Sequence, residues 1–109
     1  MFLYLTTTGR RTGRAREIEI WFVALEPQAE SAAGAARFYV LAEHGEQAAW
    51  VRNLRADPRV TVRVGARRFA GRARVVAATE RHVYDDVRAR MTAKYGWGDG
   101  LVVEIAPEL

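Results

Sequence analysis

The sequence predicts a mainly β fold of the α+β class, a small antiparallel barrel with two helices inserted between its strands. Four segments alternate apolar and polar residues with a period of two, as strands with one buried face do, and a fifth follows the same pattern. Glycine-containing turns join some of these segments directly, as in antiparallel hairpins. Two further segments repeat their apolar residues with a helical period. A chain of 109 residues is long enough for one core, and we expect residues 1–109 to form a single domain.

The first two strands are predicted over Phe2–Thr8 and Glu17–Leu25, with Gly9–Arg16 as the link of a hairpin. The period of two separates a mostly apolar face of the second strand from a face that carries two glutamates. The two faces comprise Ile18, Ile20, Phe22 and Ala24 on one side, and Glu17, Glu19, Trp21 and Val23 on the other. Glu26-Pro27 ends this strand, and the alanine-rich stretch Gln28–Ala36 is predicted to be a surface loop.

A third strand and a first helix follow. The strand is predicted over Arg37–Glu43, where one face carries Phe38, Val40 and Ala42 and the other carries Tyr39 and Leu41. The helix is predicted over Glu46–Ala56, with its apolar side formed by Trp50, Val51 and Leu54. Asp57-Pro58 ends it, because proline cannot continue a helix.

A second hairpin is predicted around Gly65-Ala66, between strands rich in valine and arginine. A two-residue turn there pairs Val62 with Phe69 and Arg63 with Arg68, which keeps each face of one kind. Arginines then oppose one another across the hairpin, an arrangement tolerated only on a face that meets solvent or an anion. We interpret most of these arginines as a solvated face of the sheet.

A second, longer helix is predicted after Thr79, which is a suitable N-cap residue. Its apolar stripe is Val83, Val87 and Met91, and Gly96 lies just beyond its end. Leu101–Ile105 is predicted to be a short closing strand.

Composition excludes several classes of protein. The sequence contains no cysteine, so it has no disulfide framework, thiolate metal site or cysteine nucleophile. The net charge of +4 invites a nucleic-acid interpretation, but the sequence shows no helix-turn-helix spacing, zinc-finger spacing or RNP aromatic motif, and we expect no nucleic-acid partner. It has no apolar run of membrane-spanning length and no signal-peptide pattern at its start, so we expect a cytoplasmic protein without membrane association.

Residues for acid–base, nucleophilic or metal catalysis are sparse. The only serine, Ser31, lies in the alanine-rich loop, and the two histidines, His44 and His82, have no second ligand at helical spacing. We therefore expect no metal site and assign no catalytic residue. Such a chain fits a protein whose cofactor supplies the reactivity.

The turn from Thr6 to Arg16 is the most distinctive segment, with four arginines and no acidic residue. Gly9 and Gly13 permit positive φ angles, so that successive backbone N–H groups can converge on an anion. The arginines add forked donors that match phosphate or carboxylate oxygens. The alternative, a basic hairpin turn in an arginine-rich chain, stays open on composition alone.

Two stretches together resemble the deazaflavin-dependent nitroreductase family of the flavin-binding split β-barrel superfamily. They read LTTTGRRTGRAR at residues 5–16 and AEHGEQAAWVRNLRADPRVTVRV at residues 42–64, and the similarity extends from about Leu3 to about Ile105. The resemblance implies an antiparallel split β-barrel of about six strands and two helices, forming a homodimer. It also implies binding of the 8-hydroxy-5-deazaflavin coenzyme F-420 and hydride transfer to a quinone, a nitro-aromatic or an unsaturated small molecule.

The resemblance also implies a set of cofactor-binding residues. The phosphate and acidic tail of the coenzyme would be held by Arg10, Arg11, Thr12 and Arg16. Ile18 and Ile20 would lie nearby, and the ring would pass beside Ala42, Glu43, His44 and Gly45. The first helix would close the site with Ala49, Trp50, Val51, Arg52 and Asn53. Tyr95 would stand on the substrate side.

Three departures from the family pattern bear on membrane association and on the choice of acceptor. Gln47-Ala48-Ala49 replaces a His-Pro pair before the tryptophan, and the loop between Ala42 and Trp50 is shorter. The family often has an amino-terminal helix before its first strand, whereas here the first strand is expected to begin at Phe2 already. Four turn arginines suit the oligoglutamate tail of F-420 better than the single phosphate of FMN, which remains an alternative cofactor. A further alternative is a domain that binds a flavin without turnover.

A homodimer is also expected from Trp21. Its place on the glutamate face of the second strand would leave a large aromatic side chain uncovered in a lone barrel.

Overall fold

The computed structural model describes residues 1–25 and 36–108. The predicted strand end at Glu26-Pro27 and nearly all of the loop over Gln28–Ala36 lie outside the described residues. The elements in chain order are β1 (Leu3–Thr8), β2 (Ala15–Ile20), β3 (Phe22–Leu25), β4 (Arg37–Ala42), α1 (Ala49–Ala56), β5 (Arg59–Val64), β6 (Arg67–Val75), α2 (Arg81–Tyr95) and β7 (Leu101–Pro107). A short 3-10 turn, Gly45–Gln47, precedes α1.

The strands form one antiparallel sheet in the order β2-β1-β5-β6-β7-β4-β3. β2 and β3 are consecutive in the chain and yet lie at opposite edges of the sheet. Only Trp21 separates them, so the sheet must curve until its two edges approach each other at this residue. The result is the half-barrel of the α+β class that the sequence predicts.

The core has two parts, one on each face of the curved sheet. The inner cluster joins β-strand residues such as Leu3, Leu5 and Val62 to Leu54 of α1. The outer cluster packs Val87 and Met91 of α2 against β3, β4 and β7. Each fully buried aliphatic side chain contributes on the order of 1.5–3 kcal/mol. The two clusters therefore hold α1 and α2 in fixed places on opposite faces of the sheet.

A buried carboxylate secures the outer face. Glu104 of β7 is almost completely buried and accepts a hydrogen bond from the Tyr39 hydroxyl at 2.7 Å. Arg37 and Arg74 donate to the same carboxylate at 3.0 and 3.1 Å, which provides the partners that a buried charge requires. Burial, reinforced by the bond to Glu104, raises the pKa of Tyr39 far above its usual value, so the phenol stays protonated as a donor.

The structure confirms the second hairpin and corrects several boundaries. Val62 pairs with Phe69 and Arg63 with Arg68, as predicted. The predicted strand Glu17–Leu25 is in fact β2 and β3, which accounts for seven strands where about six were expected. The first strand begins at Leu3, the strand that starts at Arg37 ends at Ala42, and the closing strand continues to Pro107.

The helix starts also differ from prediction. The predicted helix Glu46–Ala56 is broken at Ala48, whose extended backbone (ψ 133°) separates the 3-10 turn from α1. Thr79 is not the N-cap of α2. That place belongs to Glu80, whose carboxylate accepts hydrogen bonds from Arg74 and from the Ala77 backbone. Gly96 ends the helix with a left-handed backbone (φ 74°), as expected. Among the helices of residues 1–25 and 36–108, none is long and apolar enough to cross a membrane.

Candidate active site

The β1–β2 turn is closed by its own backbone. The Gly13 N–H donates to the Gly9 carbonyl and the Gly9 N–H to the Arg14 carbonyl, both at 2.8 Å. Gly13 has a φ of 70°, which favours glycine. The Thr12 hydroxyl accepts a hydrogen bond from the Arg14 backbone at 3.2 Å. These bonds use the N–H groups of Gly9, Gly13 and Arg14 within the turn, so these groups do not converge on an anion as expected from the sequence, and Gly9 does not adopt a positive φ. The arginine side chains are left to provide the donors.

Asn53 of α1 ties this turn to the core. Its side chain is buried, and its Oδ1 accepts hydrogen bonds from the Arg10 backbone N–H at 3.2 Å and from Arg10 Nη1 at 3.0 Å. Its Nδ2 donates to the Thr7 hydroxyl at 3.3 Å. Since Leu54 fixes α1 on the inner cluster, the position of Arg10 follows from the packing of this helix.

A cationic cavity of about 480 Å³ lies between the turn and α1. It is lined by Gly9, Arg10, Arg11, Thr12, Arg16, Glu17, Ile18, Ala49, Trp50 and Asn53. Within the described part of the chain, the four turn arginines form no salt bridge, whereas eight other arginines do. Their charge is therefore available to an anionic ligand.

An apolar cavity of about 590 Å³ lies beside the cationic one. It is lined by Phe2, Ile18, Glu19, Ile20, Trp21, Leu41, Glu43, His44, Ala48, Trp50, Met91 and Trp97. Both cavities include Ile18 and Trp50, so they adjoin at these two residues. The volume falls within the range of roughly 300–1,000 Å³ that is usual for small-molecule sites.

β2 runs along both cavities, and its two half-buried residues are Ile18 and Ile20. Arg16 lines the cationic cavity, Ile18 lines both, and Ile20 lines the apolar one. On its other face, Tyr4 of β1 donates a hydrogen bond to Glu19 at 2.8 Å, and this bond raises the pKa of Tyr4. The neutral phenol thereby holds the Glu19 carboxylate at the rim of the apolar cavity.

The structure brings most of the predicted site residues to these cavities. Those that line one or both are Arg10, Arg11, Thr12, Arg16, Ile18, Ile20, Glu43, His44, Ala49, Trp50 and Asn53. The others lie beside the cavities and line neither. Ala42 and Val51 are buried, Gly45 takes a φ of 57° at the 3-10 turn, Arg52 is exposed and bonds to Gln47, and Tyr95 stacks behind Trp21.

Several lining residues were not predicted from the sequence, namely Phe2, Glu19, Trp21, Leu41, Ala48, Met91 and Trp97. The glycine-rich run Gly96–Gly100 is a signal that could have identified Trp97. A Cβ on Gly100 would lie 3.0 Å from the Trp97 ring, and Arg88 donates to the Gly98 carbonyl at 2.8 Å. Glycine at these positions lets the segment pack closely and places the indole at the cavity.

The chain matches the family of F-420H(2)-dependent quinone reductases over residues 1–99 and belongs to that family. It is accordingly an oxidoreductase that uses coenzyme F-420 in hydride transfer to quinone-like acceptors. The resemblance to F-420-dependent enzymes is thereby confirmed.

Solved structures show the same fold at low sequence identity. A solved F-420-H2 dependent reductase (FDR-A) is 21% identical over 95% of this chain and 92% of that chain, with a TM-score of 0.63. A protein described as a domain-swapped dimer is 19% identical over 95% and 78%, with a TM-score of 0.66. An F-420 reductase is 15% identical over 100% and 87%, with a TM-score of 0.56. No curated protein sequence matches this chain.

The two adjoining cavities fit this coenzyme by the chemistry of their linings. A flat deazaflavin ring needs an apolar, aromatic space, and a phosphate with an oligoglutamate tail needs several unpaired cations. The structure offers both, joined at Ile18 and Trp50. In the described residues, no group of three or more histidine, aspartate or glutamate side chains is placed to hold a metal ion.

Proposed function

We propose that the chain binds reduced F-420 across both cavities, with the phosphate and acidic tail at Arg10, Arg11, Thr12 and Arg16 and the ring in the apolar cavity, and that a quinone is the acceptor. The observation that supports this most strongly is the junction of the two cavities. A space lined by three turn arginines that form no salt bridge within the described residues directly adjoins a space lined by three tryptophans. Reduction of nitro-aromatics or other unsaturated compounds, and the cytoplasmic location, stay predictions.

The residues of the chain act by binding and positioning the reactants. Reduced F-420, when bound, would supply a hydride, which together with one proton converts a quinone to a hydroquinone. Ile18 and Trp50 line both cavities, so a coenzyme that spans the cavities would pass these two apolar side chains. The backbone from Ala42 to Gly45 borders the ring, with Glu43 and His44 at the cavity wall. Positioning of the two reactants is the main contribution expected from the protein.

Cofactor titrations test this proposal. Purified protein is titrated with F-420, FMN and FAD while intrinsic tryptophan fluorescence is followed. We expect F-420 to bind more tightly than FMN and to weaken with added salt, because the tail contacts exposed cations. Arg10→Ala or Arg11→Ala should each weaken F-420 binding by about 1–3 kcal/mol, the range for hydrogen bonds to charged groups.

Arg68→Ala is the matched control for the turn variants. Arg68 is an exposed arginine of β6 that lines neither cavity, so its loss changes the net charge by the same amount away from the site. F-420 affinity should stay within twofold of the wild type. The proposal is contradicted if the affinity for FMN equals or exceeds that for F-420 and is unchanged by the turn substitutions.

We also propose a homodimer, which is supported by a solved structural neighbour described as a domain-swapped dimer. β2 and β3 are the two edge strands of the sheet, and edge strands are commonly covered by pairing or by a partner. Trp21 lies where these edges meet and is 39% exposed.

A further inference from the structure

Trp21 has one ring face covered and lies where the barrel splits. It is the single residue between β2 and β3. Its ring stacks on Tyr95 with a centroid separation of 4.6 Å and an interplanar angle of 2°. Trp21 also lines the apolar cavity, which Tyr95 does not. The stack therefore gives the indole a fixed support on one face and leaves its remaining surface toward the cavity.

Tyr95 is itself held in place by the backbone next to Trp21. Its hydroxyl donates to the Phe22 carbonyl at 2.9 Å and accepts from the Phe22 N–H at 3.4 Å. Lys94 donates to the same carbonyl at 3.1 Å. The end of α2 is thus bonded to the residue that follows Trp21, which holds the Tyr95 ring against the indole.

Trp21 lies at the end of the site that is remote from the turn arginines. Trp21 lies five residue steps of extended chain from Arg16, a span of roughly 16 Å at about 3.3 Å per step. Ile18, the point where the cavities adjoin, lies between them. A coenzyme whose acidic end occupies the cationic cavity enters the apolar cavity past Ile18 and Trp50, so Trp21 is the lining residue farthest along this segment from the acidic end.

We infer that Trp21 is the platform on which the quinone ring of the acceptor stacks, and that Tyr95 is a positioning residue that holds the platform. This inference rests on the proposed function and specifies the acceptor side of the same site. An electron-rich indole face suits the electron-poor ring of a quinone, and offset stacking adds to the area buried. Trp50 borders both cavities and so belongs to the coenzyme side. Trp21 takes no part in the transfer of hydride or proton.

The test compares two acceptors across variants. The ratio of kcat/KM for 1,4-naphthoquinone to that for 1,4-benzoquinone is measured with reduced F-420. Since the intrinsic reactivities of the two quinones are the same with every variant, a change in the ratio reports the contact made by the additional fused ring. Trp21→Leu should lower the ratio roughly three- to tenfold, and Trp21→Phe should give an intermediate value.

Substitutions at Tyr95 separate positioning from contact. Tyr95→Leu removes the support and should lower the ratio toward that of Trp21→Leu, mainly through KM, whereas Tyr95→Phe keeps the stack and should stay within twofold of the wild type. Tyr84→Leu is the matched control, because Tyr84 is a half-buried tyrosine of the same helix that packs on the outer cluster and lines neither cavity. Its ratio should not change.

Binding measurements keep this inference separate from the proposed function. Calorimetry of 1,4-naphthoquinone with protein saturated in oxidised F-420 should show a three- to tenfold weaker affinity for Trp21→Leu than for wild type. Failure of wild-type protein to bind F-420 overturns the proposed function. If every variant binds F-420 normally, and Trp21→Leu changes neither the ratio of kcat/KM values nor the affinity for naphthoquinone, only the inference that Trp21 is the platform is overturned.

Discussion

Asn53 shows how one buried amide can set the geometry of an exposed binding turn. It accepts two hydrogen bonds from Arg10 and donates one to Thr7. A motif of the form Trp-x-x-Asn-Leu places Trp50 at the cavities, Asn53 on the turn and Leu54 in the core, all from a single short helix. Because asparagine is uncharged, the role of Asn53 is to position the cation of Arg10.

Asn53→Ala should weaken F-420 binding several-fold and lower the free energy of unfolding by about 1 kcal/mol, because Arg10 and Thr7 lose their partner. Asn53→Asp keeps an acceptor for Arg10 but places a negative charge in the cationic cavity and loses the donor to Thr7, so it should weaken F-420 binding at least as much as Asn53→Ala. Fluorescence titration and urea denaturation measure the two effects. Gln47→Ala removes an exposed acceptor of Arg52 near the same helix and should alter neither. Unchanged affinity in Asn53→Ala would show that the turn holds Arg10 without help.

His44→Ala should retain measurable turnover. The side chain is exposed at the wall of the apolar cavity and makes no hydrogen bond within the described residues. If the backbone of this segment borders the ring, as proposed, removal of the imidazole leaves the contact intact. Steady-state rates with reduced F-420 and a quinone measure the outcome. Complete loss of turnover with normal F-420 affinity would identify His44 as a proton donor to the reduced quinone.

The individual site residues were predictable where a motif carries them and not where only the fold does. Arg10, Arg16 and Trp50 lie in the two distinctive stretches of sequence, and all three line the cavities. Trp21 and Trp97 come from a strand junction and from the segment after α2, far apart in the chain. They meet at the apolar cavity only because the sheet curves and α2 crosses its outer face. Local patterns carry no information about such an encounter.

At the scale of elements, alternation and turn residues predicted the strands and the pairing within the two hairpins, but not the pairing of strands that are not hairpin neighbours. Glu17–Leu25 alternates without interruption, so a period of two offers no signal that the chain leaves one sheet edge and joins the other at Trp21. The start of α2 is similar. Thr79 satisfies the local preference for a cap, yet the bidentate pair between Arg74 of β6 and Glu80 fixes the helix start one residue later. In both cases a contact outside the local pattern determined the outcome, since β3 pairs with β4 and Glu80 pairs with Arg74 of the preceding strand.

The connection between α1 and β5 should make stability sensitive to acid. The Asp57 carboxylate accepts hydrogen bonds from the side chain and the backbone N–H of Arg59, and these lower its pKa to about 2. Because the folded pKa lies below the unfolded value of about 4, the stabilisation is present above pH 4 and is lost as the pH falls through 4 toward 2. In thermal unfolding experiments, the Tm of wild type should exceed that of Asp57→Asn at pH 6, and the two Tm values should converge near pH 2. A constant difference between the two over this range would contradict the assignment.

At the scale of the whole molecule, the distribution of charge is more important for attracting an anionic ligand than the net charge. The net charge is only +4, and many arginines on the strands and on α2 are offset by neighbouring acids. Within the described residues, no salt bridge is formed by the four turn arginines or by Arg52, Arg67, Arg68 and Arg81. The turn arginines, however, lie within seven residues of one another and so place unpaired positive charge at one end of the site. Such a field attracts a polyanionic coenzyme tail and orients it before contact. Composition alone could not distinguish this from an evenly basic surface.

The oligomeric state is a property of the whole molecule that experiment can test directly. The two edge strands meet at Trp21, which lines the apolar cavity, and we call the side of the cavity at Trp21 its mouth. In place of the fully uncovered aromatic expected from alternation, the indole is stacked on Tyr95 and retains 39% exposure. A partner subunit at this mouth would protect the strand edges and narrow the entrance to the cavity.

Light scattering at micromolar concentration should therefore give twice the chain mass of 12.2 kDa. Trp21→Glu places a charge in or beside the proposed shared surface and should shift the population toward the monomer, because burying an unpaired carboxylate is unfavourable. Ala66→Glu adds the same charge at the exposed β5–β6 turn and should leave the mass unchanged. A monomer mass for wild-type protein with F-420 binding intact rules out the dimer. A dimer that tolerates Trp21→Glu places the shared surface away from the cavity mouth, along a strand edge that Trp21 does not reach.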